Sequence, residues 1–341
     1  MRRIKITVAY DGTAYCGWQL QSNGITIEEE LQKALTSLLR EPILVIGASR
    51  TDSGVHAMGN VAVFDTESRI PADKLCFALN QRLPEDIRIQ SSEEVPLTFH
   101  PRKANCRKTY EYKIFNRKID MPLQRLYSHF CYLNLDLDKM KQAAAFLVGE
   151  HDFKSFCTIR SQAEETVRCI YSLEVDKEGD LITIRICGSG FLYNMVRIIA
   201  GTLVKVGAGA YPPERMEEIL EARDRSAAGP TIPARGLTLI GLEYEKELAP
   251  EIEGKNRHWH YVLDQREVPA GGPARLMILA CEDEEFPQVV RRVTHQAFRN
   301  GARQVLLEDR EKARLLEGQK YGYYRLQRSE EGAFLALFEG V

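Results

Sequence analysis

Residues 47–57 read Gly47-Ala48-Ser49-Arg50-Thr51-Asp52-Ser53-Gly54-Val55-His56-Ala57. The apolar run Ile43-Leu44-Val45-Ile46 precedes them, and Val61, Val63 and Phe64 follow. This pattern predicts a strand, a polar loop and a second strand. Arg50, Thr51, Asp52, Ser53 and His56 fall within seven positions, and Gly47 and Gly54 permit unusual backbone angles around them. Asp-Ser-Gly is also good turn chemistry, in which an Asp hydrogen-bonds its own backbone. The stretch by itself leaves a catalytic Asp52 and a turn-forming Asp52 both open.

Working outward, the chain reads as an α+β protein. Upstream, Ile4, Ile6 and Val8 alternate with Arg3, Lys5 and Thr7, as in a half-buried strand. The turn from Tyr10 to Tyr15 then delivers Gly17, Trp18 and Gln19 to a surface. Thr26 with Glu29 is a capping-box signature, and Ile27, Leu31, Leu35 and Leu38 form one helical stripe that Pro42 ends. Downstream, Pro71 opens a helix with Leu75, Ala78 and Leu79 inward, and Ile87 and Ile89 mark a strand. The order strand, helix, strand, strand, helix, strand suits a sheet with helices on one face.

A second run repeats this order. It predicts a long strand over 105–116 with Tyr110, Tyr112 and Ile114 on one face, a helix over 137–147, and strands near 168–176 and 181–187. A helix from Phe191 to Val206, a shorter one after Pro212-Pro213 and a strand over 237–244 complete it. Four segments follow: an N-terminal half, 1–104, carrying the Asp loop; a second half, 105–246; a polar linker, 247–256; and a small α+β domain, 257–341. In the last segment, strands are expected over 260–263, 276–280, 305–307, 321–326 and 334–338, with helices over 286–300 and 310–316.

Composition narrows the function. The 341 residues are 44% hydrophobic and 28% charged, as in soluble globular proteins. No apolar run approaches a membrane span, and Met1-Arg2-Arg3 leads straight into a strand pattern, so a cytoplasmic protein is expected. Eight scattered cysteines lack any CxxC pair, and His258 and His260 lack Cys or acidic partners, so no metal site is expected. Ala270-Gly271-Gly272-Pro273 reads as an ordinary loop. A net charge of −2 excludes a uniformly basic binder. Between Arg102 and Lys118, however, seven basic residues face only Glu111, with Tyr110, Tyr112 and Phe115 interleaved. That stretch is a phosphate-binding candidate, and equally a solvated strand.

The stretch 49–57 resembles the GRTDAGVHA signature of the TruA-type tRNA pseudouridine synthases. The supporting matches run in the family's order: Tyr10-Asp11-Gly12 with Tyr15, Gly17, Trp18 and Gln19; Phe99-His100-Pro101-Arg102; and Arg107-Lys108-Thr109-Tyr110-Glu111-Tyr112. Gly149-Glu150-His151-Asp152-Phe153, Phe191-Leu192-Tyr193-Asn194-Met195-Val196-Arg197 and Ala234-Arg235-Gly236-Leu237 follow. The likeness spans roughly residues 3–246. It departs at Ser49 and Ser53, where the family usually has Gly and Ala, and the last 85 or so residues are an addition with no assigned role.

The resemblance implies a pseudouridine synthase fold, with two similar α+β halves bearing antiparallel sheets around a central basic cleft. It implies isomerisation of uridine to pseudouridine at positions 38, 39 and 40 of the tRNA anticodon stem-loop, without metal or cofactor, by a homodimer. Asp52 then matches the catalytic Asp, Arg197 its paired cation, and Tyr110 the active-site Tyr that packs on the flipped base. Arg50 would contact phosphate or hold the base out of its stack. Arg102, Lys103, Arg107 and Lys108 would position the RNA backbone. The carboxylate would attack a sugar or base carbon, or act through an oxocarbenium-like or glycal intermediate; both routes stay open. The competing readings are an RNA-binding or chaperone protein with dispensable catalysis, and a nucleoside glycosidase. The glycosidase would need a second carboxylate, and none stands out beside Asp52.

Overall fold

The alternation at the N-terminus folds as strand β1 (Arg2–Tyr10), with Ile4, Ile6, Val8 and Tyr10 buried and the residues between them half-buried. In this computed structural model, residues 1–158 and 165–244 are described, together with the backbone of six strand segments between 251 and 338. Thr26 caps α1 (Ile27–Leu39) by accepting from the Glu29 amide, and Arg40, in the left-handed conformation, ends it two residues before Pro42. Ile27, Leu31 and Leu35 lie in the same hydrophobic core as the buried face of β1. Each fully buried aliphatic side chain of this kind contributes about 1.5–3 kcal/mol. β2 (Ile46–Gly47), β3 (His56–Thr66), α2 (Ala72–Asn80) and β4 (Ile87–Val95) complete the first half.

Here the structure departs from the expected strand before the loop. Ile43 and Val45 are buried, but Leu44 is exposed, and only Ile46 and Gly47 pair with β3. The Val45 amide donates to the Gln32 side chain, so the run enters the ladder only at Ile46.

The second half runs β5 (Cys106–Asn116), β6 (His129–Cys131), α3 (Leu137–Ala145), β7 (Gly149–Asp152), β8 (Val167–Glu178), β9 (Leu181–Gly188), α4 (Met195–Gly207), α5 (Arg215–Ala222) and β10 (Leu237–Tyr244). α4 begins four residues later than its apolar pattern suggests, because Asn194 has φ 63° and breaks the chain's entry into the helix. Met195, Val196, Ile198, Ile199, Ala200, Leu203 and Val206 are all buried, as expected of a helix apolar on nearly every side.

The two halves do not form separate sheets. One sheet runs β4-β1-β3-β10-β5-β9-β8-β7, with β2 on β3 and β6 on β5. Its pairings are antiparallel except β3–β10 and β5–β6. β10, last in this part of the chain, is the join: Thr238 and Leu239 pair with His56 and Ala57 at the end of the Asp52 loop, while its other edge pairs with β5. The α+β class expected from the sequence is therefore observed, with largely antiparallel strands.

The chain divides into two compact units, Met1–Tyr244 and Glu245–Val341. In the second, six described strands form one sheet: β11 (Glu251–Lys255), β12 (Trp259–Asp264), β13 (Pro273–Cys281), β14 (Gln304–Leu307), β15 (Tyr324–Arg328) and β16 (Phe334–Phe338), ordered β11-β12-β13-β14-β16-β15. β11 falls inside the segment expected as linker. It is an edge strand, and its charged composition reads as linker from the sequence alone. The helices expected over 286–300 and 310–316, and residues 270–272 of the glycine loop, lie outside the described residues.

Candidate active site

Asp52 sits on the loop between β2 and β3, and the turn from Tyr10 to Trp18 clamps that loop. The Trp18 amide donates to the Thr51 carbonyl at 3.0 Å, and the Gly54 amide and Ser53 hydroxyl donate to the Tyr15 carbonyl. Gly17 has φ 90°, and a Cβ there would lie 2.6 Å from the Thr51 carbonyl oxygen, so only glycine permits this approach. Behind the loop, the Tyr10 hydroxyl and Thr51 Oγ1 are 2.7 Å apart. Asn60 is fully buried and bonds both the amide and the carbonyl of Ser49. Asp52 is thus presented by a rigid turn.

Arg197, in the first turn of α4, brings its Nη1 to 3.4 Å from Asp52 Oδ2. The two side chains are 17% and 19% exposed, so this is a largely desolvated ion pair and not the snorkelling Arg of a surface helix. The same guanidinium is held from two other directions. Its Nε donates to the Ile232 carbonyl at 2.8 Å, and Nη1 donates to Asn194 Oδ1 at 2.7 Å. Asn194 in turn donates to Thr158. Burial outweighs the Arg197 charge and hydrogen bond, and the Asp52 carboxyl titrates above the usual Asp range.

Tyr110 is buried on β5, and its ring meets Phe191 edge-on at 5.2 Å. Burial, with the nearby Asp52 charge adding to it, pushes its hydroxyl far up, so Tyr110 is a neutral phenol and holds no standing phenolate. Ser49 Oγ lies buried beside this hydroxyl without a hydrogen bond of conventional geometry. Ser53, the second departure from the signature, is exposed and bonds only the Tyr15 carbonyl, which nothing in the chemistry requires.

The basic stretch divides between two faces, because side chains alternate along a strand. Lys108 lies on the Tyr110 face, is largely buried, and donates to the Ala48 carbonyl at 3.3 Å. Burial lowers its pKa, the strongest of several influences on it. Arg107 points to the opposite face and covers the Tyr171 ring at 4.8 Å. Arg102 and Lys103 are exposed at the turn before β5. Arg50 is exposed and, among the described residues, makes no hydrogen bond or ion pair.

His56, one of the chemically capable groups of the loop, serves the fold. The Gly12 amide donates to its Nδ1 at 3.1 Å, so Nε2 carries the proton and faces the Leu126 and Arg235 carbonyls at 3.0 and 3.2 Å. The Asp11 carboxylate, 3.1 Å from Nδ1, is kept there by hydrogen bonds from Thr13 and Tyr127. His56→Ala is expected to cost about 2–4 kcal/mol of unfolding free energy, because it strands a buried amide and removes the donor for two carbonyls. Urea unfolding measures it.

Gly201, four residues after Arg197, does not face the Asp52 loop. A Cβ there would lie 2.0 Å from the Pro230 carbonyl oxygen, so it admits the chain segment that ends at Ile232. The sequence pattern also passed over Asn194 and the Ile232 carbonyl as partners of Arg197. An Asn directly before an apolar helix was the only available signal, and a carbonyl leaves none.

A sequence profile described as tRNA pseudouridine synthase matches residues 6–102 and 143–245. Proteins named tRNA pseudouridine synthase A are similar to this chain over nearly their whole length. One from Thermoanaerobacter sp. (strain X514) is 47% identical over 244 residues, 72% of this chain and 100% of its own. One from Exiguobacterium sp. (strain ATCC BAA-1283 / AT1b) is 46% identical, covering 72% and 99%. One from Ruminiclostridium cellulolyticum is 48% identical over 245 residues, covering 72% and 100%. The profile match ends at residue 245, one residue past the end of the first compact unit at Tyr244. Among the described residues no helix is long and apolar enough to cross a membrane.

Proposed function

Because the chain belongs to the tRNA pseudouridine synthase family, and so is an enzyme that isomerises uridine in tRNA, we propose that it acts on positions 38, 39 and 40 of the anticodon stem-loop with Asp52 as its reacting carboxylate. The observation that carries the role of Asp52 is its largely buried pairing with Arg197. Isomerisation breaks the C1′–N1 bond, turns the uracil and joins C1′ to C5; C5 loses a proton and N1 gains one, with no net redox change. A carboxylate is suited to the sugar or base carbon in this reaction, as nucleophile or as base. Tyr110 and Phe191 offer aromatic surface to a base taken out of its stack. Tyr110 enters any proton movement as a neutral donor. In the same proposal the enzyme is a homodimer, as its resemblance to the family implies, and cytoplasmic, as its hydropathy pattern suggests.

The test is tritium release from tRNA labelled with [5-³H]uridine, together with tRNA binding. The wild type releases label, and Asp52→Ala binds tRNA without releasing it. Binding without release by the wild type would establish the RNA-binding reading instead. Release by Asp52→Ala would remove Asp52 from the chemistry. Free uracil in place of pseudouridine would identify a glycosidase.

Arg50, Arg102, Lys103 and Arg107 are the exposed cations that this reading assigns to RNA phosphates, Arg107 from above the Tyr171 ring. Replacing Arg102 and Lys103 with Gln is expected to lower the slope of log affinity against log salt by about 0.7–0.9 for each lost contact, while the single-turnover rate at saturation is kept. Binding titrations across salt concentrations check it.

A further inference from the structure

The segment Gly229-Pro230-Thr231-Ile232-Pro233-Ala234-Arg235 touches the site almost entirely through its main chain. Its Ile232 carbonyl accepts from Arg197 Nε at 2.8 Å, and its Pro233 carbonyl accepts from the Tyr112 hydroxyl at 2.7 Å. Its Arg235 carbonyl faces His56 Nε2 at 3.2 Å. These three partners come from α4, from β5 two residues past Tyr110, and from β3 four residues past Asp52. The segment is seated on α4 at one place. The Gly229 amide donates to Thr202 Oγ1 at 2.9 Å, and the Pro230 carbonyl occupies the space that a side chain at residue 201 would fill. Pro230 and Pro233 fix φ at two of its seven positions, which reduces the entropy lost in holding it there.

We propose that residues 229–235 are a positioning strap for the reaction: seated on Gly201 and Thr202, they fix the Arg197 guanidinium against Asp52 and tie β5 and the start of β3 to it. The strap touches no reacting atom and works through Arg197, Tyr112 and His56. The proposal rests on the reading of Asp52 as the reacting carboxylate. It accounts for the placement of Gly201 against the Pro230 carbonyl. Arg197 has several rotatable bonds, and its Asp52 contact is a single one at 3.4 Å. The Ile232 carbonyl, on the Nε side of the guanidinium, sets which edge of the fork meets the carboxylate. Among the described residues, the ionisable groups that act on the Asp52 carboxyl are Arg197 from α4 and Tyr110 from β5. A displaced Arg197 therefore leaves that carboxyl without the cation that offsets its burial.

The experiment uses the full chain with Thr202→Val, which removes the acceptor for the Gly229 amide at nearly constant volume, and Thr202→Ser, which keeps it. Pro230→Ala, which loosens the strap without a clash, is the third variant. The readouts are the single-turnover rate of pseudouridine formation, the tRNA Kd, and the titration midpoint of the Asp52 carboxyl followed by ¹³C NMR. Thr202→Val and Pro230→Ala are expected to lower the rate about 10- to 100-fold with tRNA Kd kept within about twofold, the scale of a misplaced catalytic group. The Asp52 midpoint should move upward in both, and Thr202→Ser should restore rate and midpoint. A lower melting temperature with rate and midpoint unchanged would overturn the proposal and leave the segment a purely structural loop. If the wild type forms no pseudouridine, the functional reading fails on its own, and the Asp52 midpoint still decides whether the strap sets Arg197.

Discussion

Asp52→Asn is expected to abolish pseudouridine formation, by on the order of 10⁴-fold or more, while its thermal stability equals or exceeds that of the wild type. The two outcomes share one cause. Burial raises the Asp52 pKa above its ordinary value despite Arg197. The native state therefore holds the Asp52 proton more tightly than the unfolded chain does. Stability from this group is fully present below the unfolded-state pKa and is lost as pH rises through the higher folded-state value. At neutral pH the ionised carboxylate that the reaction needs is thus a cost to the fold. Asn is close in shape and carries no charge, so it removes the proposed reacting group and that cost together, as happens at many functional sites. Calorimetry at neutral pH, beside tritium release, checks both halves. A variant that loses activity and also melts well below the wild type would show that Asp52 was holding the loop. The same raised pKa predicts an acid limb in the wild-type rate profile above the usual Asp range.

Arg197→Gln is expected to lower the single-turnover rate by about 10²–10³-fold, the scale of removing one preorganised electrostatic partner. It should also cost about 2 kcal/mol of stability, since the Ile232 carbonyl, Asn194 and Asp52 lose a shared donor. Its pH dependence distinguishes it from simple misfolding. Arg197 is the influence that pulls the Asp52 pKa down, so its loss lets burial push the carboxyl further up. The deficit should therefore be deepest at acid pH and shrink as pH rises and Asp52 ionises. Rate profiles of both proteins between acid and alkaline pH check this. A constant ratio would mean that Arg197 acts on substrate and not on Asp52. Arg197→Lys should recover little, because one ammonium on a shorter, differently shaped head cannot reach three acceptors placed around a planar fork.

Local signals were legible wherever one residue's own chemistry decides the structure. The Thr26 cap, the stripe from Ile27 to Leu35 and the strand Leu237–Tyr244 form where composition and period place them. Apolar periodicity places the start of α4 too early, because it does not report the left-handed conformation of Asn194. The apolar run before the Asp loop has a strand's composition, but a Gln32 side chain satisfies the Val45 amide that a ladder would otherwise claim. The basic stretch looked continuous because a charge count ignores alternation. Lys108 faces the site, whereas Arg107 lies across the sheet on Tyr171.

Caps, stripes and an ordered set of motifs are properties of neighbouring residues, so most elements, the loop that carries Asp52 and the family can be read from the chain alone. The surroundings of Asp52 are set by tertiary assembly. Its cation comes from 145 residues away, and that cation is aimed by a main-chain carbonyl that has no side-chain signature. Whether the carboxyl titrates high or low depends on burial outweighing that cation, and burial exists only once the sheet, α4 and the segment before β10 are assembled.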